Sequence, residues 1–475
     1  MATKKRAARS AVARVRSGPN AVFAALALFA AFALSSLFTS DPAYAVPSFA
    51  RQTGQPCASC HTAFPELTPF GRRFKLAGYT LQGGDSKFPP VAAMVLPTFS
   101  HTAAPYLPGE QEAAGLPAKI RANDNFVTQQ VTGFYAGQVY GNLGAFIQVT
   151  GDPVSGTVAL DSSDVRYVDS FKLFDKDAYW GVTVNNFPTV QDVWNTTPAF
   201  GWPQASSSVA PLYTPPQTRI EQGFGTGVMG AGVYVFWNDM LYAELTAYTG
   251  QSKTLQETLG LEPGANPDLL DGAAPYWRLA VEPHWGDHYL MIGTFGMYGR
   301  IIPAETFGFG YDDYTDIGFD SQYQYDGDKF SVTVKVSDII EYQKLNSSFA
   351  QTNVSNLNDR LNSFKANASF VWDHTYSLGA GYFKVSGTSD MGLYSGSSLS
   401  SSPNGDGLIA DVAYLPFSHG SPGPYSSWNA RLGVQYTHYL HLYGGTDNFD
   451  NTTNQGAMHN ASGNDTLMLY AWLMF

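Results

Sequence analysis

From Val91 to the C-terminus, strand-like segments of roughly ten residues alternate with clusters of turn formers. Within a segment the period is two. Phe330, Val332, Val334 and Val336 share one side of such a strand, while Ser331, Thr333, Lys335 and Ser337 share the other. The connections alternate too. Tight turns are expected at 140–142, 175–177, 237–239, 284–288, 325–329 and 372–375. Between them lie long polar or Pro/Gly/Ser-rich stretches at 103–124, 187–222, 249–275, 386–406 and 443–465. Apolar-out, polar-in strands with short turns at one end and long loops at the other describe an outer-membrane β-barrel, its short turns periplasmic. The segments come to about sixteen strands, an even number that leaves both barrel ends at the periplasm. The expected fold class is therefore all-β, with a barrel over residues 91–475 facing the lipid bilayer. A soluble sandwich or propeller would not give the short/long alternation, and no blade-length repeat is present.

The last strand, 466–475, departs from this rule on one face. Leu467, Leu469, Ala471, Leu473 and Phe475 form an apolar side ending on an aromatic, which resembles the terminal insertion signal of bacterial outer-membrane barrels. The opposite side, Met468, Tyr470, Trp472 and Met474, is not polar. A lumen wall that is apolar near the periplasmic mouth implies that something packs against it.

Composition narrows the class. Only 14% of the 475 residues are charged, against 14% aromatic and 44% hydrophobic; a soluble domain carries about 25% charge. Past the first 40 residues no apolar run is long enough for a membrane helix. Two cysteines exclude a disulfide scaffold, and the aromatic content excludes disorder.

Residues 1–45 read as a cleaved secretory signal. Lys4, Lys5, Arg6, Arg9, Arg14 and Arg16 precede an apolar run from Ala21 to Phe38, and Ala43-Tyr44-Ala45 supplies the cleavage site. Removing six basic residues and Asp41 moves the formal net charge from -12 to -17. A chain this acidic is a poor partner for nucleic acid and a fair one for cations.

Both cysteines fall directly behind that site, as Cys57-Ala58-Ser59-Cys60-His61. Cys-x-x-Cys-His is the attachment signature of haem c. Two thiols at this spacing can each form a thioether to one haem vinyl group, and the adjacent His61 then becomes the proximal iron ligand. A redox dithiol would belong near a βαβ pattern, which is absent, and a zinc site would need a second cysteine pair. One covalent haem c is therefore expected, in a small α-helical module over 46–90. Thr68-Pro69 marks a helix start and Gly78 its stop, with Phe70, Phe74 and Ala77 on one face. About 45 residues cannot build a core alone, so the porphyrin must supply much of it.

The segment from Pro47 to Tyr79, with Phe49-Ala50-Arg51-Gln52-Thr53-Gly54, the haem signature, Leu67-Thr68-Pro69-Phe70-Gly71 and Phe74-Lys75-Leu76-Ala77-Gly78-Tyr79, resembles the fused monohaem cytochrome–porins. Their best-known members are outer-membrane iron oxidases of neutrophilic and acidophilic iron-oxidising bacteria. The resemblance is specific over about 35 residues, and the barrel adds architecture but little motif. It implies a haem module that plugs or caps the barrel. It also implies electron flow from an extracellular donor, Fe²⁺ in the best-known cases, to a periplasmic carrier such as a small cytochrome c or a cupredoxin. Cys57 and Cys60 then correspond to the attachment points and His61 to the proximal ligand.

No motif gives the sixth ligand. Met94, at the periplasmic start of the first strand, is the preferred candidate, because a Met/His pair raises the iron potential. His101 should lie roughly 15–20 Å further up the barrel. Met474, His284, His288, His374 and His419 are the remaining candidates, and plain packing or solvated turns are the alternatives for each. Asp312, Asp313, Asp316, Asp447 and Asp450 of the expected outer loops could draw Fe²⁺, with ordinary loop charge as the default. Two other functions stay open: a porin-like transporter whose haem module is a plug or gate, and a haem-stabilised structural or binding protein. Sequencing the exported chain from its N-terminus should read from Val46; a chain beginning at Met1 would show an uncleaved anchor.

Overall fold

The structure, a computed structural model, describes residues 47–84, 88–224, 227–258, 268–419, 428–450 and 459–475; the expected signal at 1–45 lies outside them. One antiparallel sheet closes on itself. Its sixteen wall strands are β1 (Val91–Thr102), β2 (Asp124–Tyr140), β3 (Leu143–Asp152), β4 (Asp164–Leu173), β5 (Lys176–Asn185), β6 (Val228–Trp237), β7 (Leu241–Gly250) and β8 (Ala273–Val281), followed by β9 (His288–Ile302), β10 (Asp312–Asp326), β11 (Phe330–Lys344), β12 (Asn358–Trp372), β13 (Tyr376–Gly387), β14 (Gly405–Tyr414), β15 (Asn429–His441) and β16 (Thr466–Met474). Three short pieces, Thr157–Leu160, Leu269–Asp271 and His284–Trp285, extend hairpins beside them. Each wall strand pairs with its sequence neighbours, and β1 with β16 closes the ring through Met94 opposite Met474 and Thr98 opposite Tyr470. Closure removes the free edge that an open sheet would expose.

All six expected tight turns connect strands at one end, and all five expected long stretches connect them at the other. The connections 303–311 and 345–357 are further loops of the long side, and 415–428 is longer than the other turns of the short side. The period-two reading holds on β11. Ser331, Thr333 and Lys335 are buried in the lumen, whereas Phe330, Val334 and Val336 are exposed on the outside. Leu245, Ile292, Phe319, Leu378 and Val412 continue that outer apolar band. Beside the short turns Tyr140, Phe174, Trp285, Trp372 and Tyr376 are exposed as an aromatic girdle, the usual boundary of a hydrocarbon-facing surface.

Two bodies fill the lumen. From the loop side, 186–224 folds inward rather than outward, burying Val190, Gln191, Asp192, Val193 and Trp194. It is tied to the wall by Asp192–Arg278 (3.3 Å) and by Arg166 donating to the Gln191 carbonyl (2.8 Å). The sequence marks this stretch only as a polar loop. Its inward course depends on lumen cations contributed by distant strands.

From the turn side enter three short helices, α1 (Pro47–Thr53), α2 (Cys57–Cys60) and α3 (Pro69–Leu76). The α3 boundaries follow the local chemistry. The Thr68 hydroxyl accepts from the Gly71 N–H (3.1 Å), Pro69 opens the helix, and Gly78 (φ 66°) ends it. Phe74 and Ala77 are buried as expected. Phe70 is instead 40% exposed at the short-turn mouth of the barrel. Polar Arg72 and Lys75 are buried in its place, because a polar lumen surrounds the helix.

Anchoring is mostly polar. Glu66 takes hydrogen bonds from Ser369 (2.9 Å) and Gln204 (3.2 Å) and pairs with Lys335 (3.4 Å). Burial alone would raise the Glu66 carboxyl, but Lys335, Ser369 and Arg431 hold it below the ordinary range. Arg431 donates to the Phe64 carbonyl (2.7 Å) and to Asp411 (2.7 Å). The apolar face of β16 meets its expected partner here, with the Phe64 and Trp472 rings edge-to-face at 4.9 Å. Placing a charge on the outer band, as in Val334→Arg, should cost about 2–4 kcal/mol of folding free energy in lipid vesicles. Urea titration measures it, and a cost near zero would mean that this face meets water.

Candidate functional site

The α2 turn carries Cys57 and Cys60 and hands the chain to His61, whose N–H returns to the Cys57 carbonyl (2.9 Å). The turn is clamped on two sides. Ala58 N–H donates to the Ser418 carbonyl (2.9 Å), and Thr68 N–H donates to the Cys60 carbonyl (2.9 Å). Gly71 is required at this contact: a Cβ there would lie 2.1 Å from the Cys60 carbonyl oxygen.

Cys57, Cys60 and His61 line one cavity of about 410 Å³ together with Met94 and Met474. Its walls are aromatic. Phe49, Phe74 and Tyr79 come from the helical segment, Phe134 and Phe146 from β2 and β3, Phe200 from the lumen loop and Trp472 from β16. Phe49 stacks on Tyr79 (5.5 Å) and meets Phe74 edge-to-face (4.8 Å). Polar groups enter at Gln130, Gln148, Asp161 and Asn195, and Lys75 adds a buried ammonium.

The chemistry of the donors separates the alternatives. Cys57 and Cys60 form no disulfide with each other. Burial pushes each up to about 12, the reverse of the lowered thiol pKa of a redox dithiol. Among the described residues no group of three or more His, Cys, Asp or Glu could hold a bare metal ion, which disfavours zinc. A group that brings its own in-plane nitrogens asks less of the protein, two thiols for the bonds and one or two axial donors. The residues present fit that requirement. Burial lowers His61 to about 4, despite the opposing influence of the Glu66 and Pro65 backbone, so the ring is neutral near pH 7. Its Nδ1 is buried without a well-formed hydrogen bond.

Of the expected distal candidates, the fold brings Met94 and Met474 to this cavity. Met94 is buried, and its Sδ accepts a hydrogen bond from the Trp472 indole N–H. His101 lies away from it, bound to Asp124 (2.8 Å) at the far end of β1. His288 is engaged by Tyr323 (2.8 Å) and His419 by the Asp373 carbonyl (2.6 Å). His284 and His374 border a different cavity of about 430 Å³ at the short-turn face. There His374 Nδ1 lies 3.1 Å from the carbonyls of both His61 and Thr62. This second cavity reaches the back of α2 at Ala58 and Ser59 and is rimmed by Arg73, Asp239, Asp326 and Asp328.

The acidic residues expected in outer loops do not converge. Asp312 is buried on β10 and accepts from the backbone of Ser347 (2.7 Å) and Ser348 (3.0 Å). Asp316 is buried and accepts from Ile220 N–H (2.8 Å), Asp313 takes the Tyr298 hydroxyl (2.6 Å), and Asp450 pairs with His459 (2.7 Å). Asp447 is exposed. Asp161 and the walls from Phe134, Phe146 and Phe200 escaped the sequence reading, since they come from segments far from the motif; Phe49, Phe64, Phe74, Lys75 and Tyr79 sit near it, but nothing local shows that they enclose one chamber.

No family model and no curated protein matches the chain. Among solved structures it is similar to the outer membrane channel DcaP of Acinetobacter baumannii, at 11% identity and a TM-score of 0.44, over 81% of this chain and 96% of that one. It is also similar to the OmpF of Salmonella typhi in complex with daunomycin, at 10% identity and 0.43, over 81% and 97%. An anion-selective porin from Comamonas acidovorans gives 9% identity and 0.42, over 81% and 98%. At these values the likeness carries no argument about activity, and the barrel stands on its own strand pairing.

Proposed function

We propose that the chain is an outer-membrane electron-transfer protein that passes single electrons from an extracellular donor, Fe²⁺ as the leading candidate, to a periplasmic carrier. In this reading Cys57 and Cys60 would hold one haem c covalently, and His61 and Met94 would be the residues that ligate its iron. The supporting observation is convergence: both cysteines of the chain, the adjacent neutral histidine and a buried methionine from β1 line one aromatic-walled chamber. Haem, when bound, supplies the one-electron couple. The protein supplies the surroundings. Its aromatic walls exclude water, Trp472 orients the Met94 sulfur, which has a second lone pair for a ligand, and Glu66 fixes the segment to β11 and β12. The short-turn cavity behind Ala58 and Ser59 offers a small cytochrome c or a cupredoxin an approach to the back of the motif.

A second reading, a porin-like transporter with a haem-bearing plug or gate, is favoured by the sixteen-stranded barrel with an inward loop between β5 and β6. The two separate in liposomes. A transporter admits small sugars and swells the vesicles, whereas a conduit with helices α1 to α3 seated in the lumen leaves them nearly impermeable. Mixing oxidised holoprotein with Fe²⁺ in a stopped-flow spectrometer should develop the reduced Soret and α bands; bands that stay oxidised would remove iron as the donor. Met94→Ala should lower the midpoint potential and His61→Ala should change the absorption spectrum. Unaltered values would return each residue to plain packing.

A further inference from the structure

We propose that Lys75 anchors a carboxylate arm of the macrocycle held in the aromatic chamber, an assignment that rests on the haem reading above. Among the described residues six cationic side chains are buried: Arg72, Lys75, Arg166, Arg278, Lys335 and Arg431. Five have a carboxylate partner, at 3.0 Å for Arg72–Glu282, 2.5 Å for Arg166–Asp164, 2.6 Å for Arg278–Asp320, 3.4 Å for Lys335–Glu66 and 2.7 Å for Arg431–Asp411. Lys75 is the exception. Its Nζ donates to the main-chain carbonyls of Val190 (2.7 Å) and Asp192 (2.6 Å) and lies 4.8 Å from the centre of the Phe200 ring.

The acids of its neighbourhood are committed elsewhere. The Asp192 carboxylate binds Arg278 and Thr197, Asp164 binds Arg166 and Tyr79, and Glu244 binds Gln191, Tyr242 and Thr246. Arg166 adds a second positive charge nearby, and burial with that repulsion pushes Lys75 down to about 7. A buried ammonium without a counter-ion is costly, and carbonyl dipoles leave its net charge in place. The site therefore has room, in charge and in a third N–H donor, for an anion.

Lys75 lines the same cavity as Cys57, Cys60 and His61, and the Phe200 ring beneath its Nζ lines it too. The carboxyl group along the lining, Asp161, is held at the wall by Gln148 (2.6 Å) and Thr150 (3.0 Å). Haem carries two carboxylate arms on one edge. A chamber with the Lys75 amino group on one wall and the Asp161 carboxyl on another selects which edge faces which wall, in addition to the selection made by the two thioethers. Lys75 is thus a cofactor-binding residue, placed by α3 and the lumen loop together.

The test compares purified holoprotein with Lys75→Gln and Lys75→Arg, using redox titration and resonance Raman spectra of the haem carboxylate bending bands. Lys75→Gln should lower the midpoint potential, because a positive charge near the macrocycle is lost, and should displace the carboxylate band. Lys75→Arg should keep the potential near the wild-type value and displace the band, because the donor bonded to the carboxylate has changed. A Lys75→Gln protein with wild-type potential and band would overturn the assignment. Should that variant fail to assemble, the Lys75→Arg band decides alone, and identity with wild type there overturns it. Wild-type protein that gives no pyridine haemochrome would instead remove the underlying haem reading, a separate failure seen before any variant is made.

Discussion

The segment 47–84 cannot bury enough of itself to stand alone, so the barrel wall must complete it. Phe49, Phe64 and Tyr79 find their remaining neighbours on strands, in Phe134, Phe146 and Trp472. The same wall is polar inside, because its strands alternate. A body seated there must therefore match charges as well as shape. Glu66 with Lys335, Arg72 with Glu282 and the Phe64 carbonyl with Arg431 are those matches. Each binds tightly in one register and penalises others, since a buried charge left without its partner costs about 3–5 kcal/mol.

This constraint also explains where the chamber lies. Its wall residues come from β1, β2, β3 and β16, the strands on either side of the closing seam. Met94 and Met474 are direct partners across that seam, and Trp472 reaches back to the Met94 sulfur. Closing the barrel and forming the chamber are consequently one structural event. A chain whose first and last strands had not paired would present Cys57, Cys60 and His61 without the apolar surface that encloses them.

The lumen loop completes the enclosure from the other side. Residues 186–224 supply Phe200 to the chamber and the carbonyls of Val190 and Asp192 to α3, while Arg166 and Arg278 hold the loop inward. Wall, loop and helices therefore share one charge network, in which the Asp192 carboxylate serves Arg278 and the Thr196 N–H of the loop backbone at once. The two cavities fall on opposite sides of α2, one facing the aromatic chamber and one the short-turn face.

What the sequence determined by itself was local. Period-two alternation on β11, the turn residues at the short connections, the Thr68-Pro69 helix start and the Cys57–His61 spacing are each written within a few neighbouring residues. The same holds for the apolar inner face of β16, which implied a packed object before its partner was known. Tertiary structure decided the rest. The inward course of 186–224, the exposure of Phe70, the burial of Asp312 and Asp316 and the isolation of Lys75 from carboxylates depend on groups brought together by barrel closure. Alternation fixes which side of a strand a residue faces, but not which distant residue stands across the lumen, because that follows from strand order, register and closure acting together.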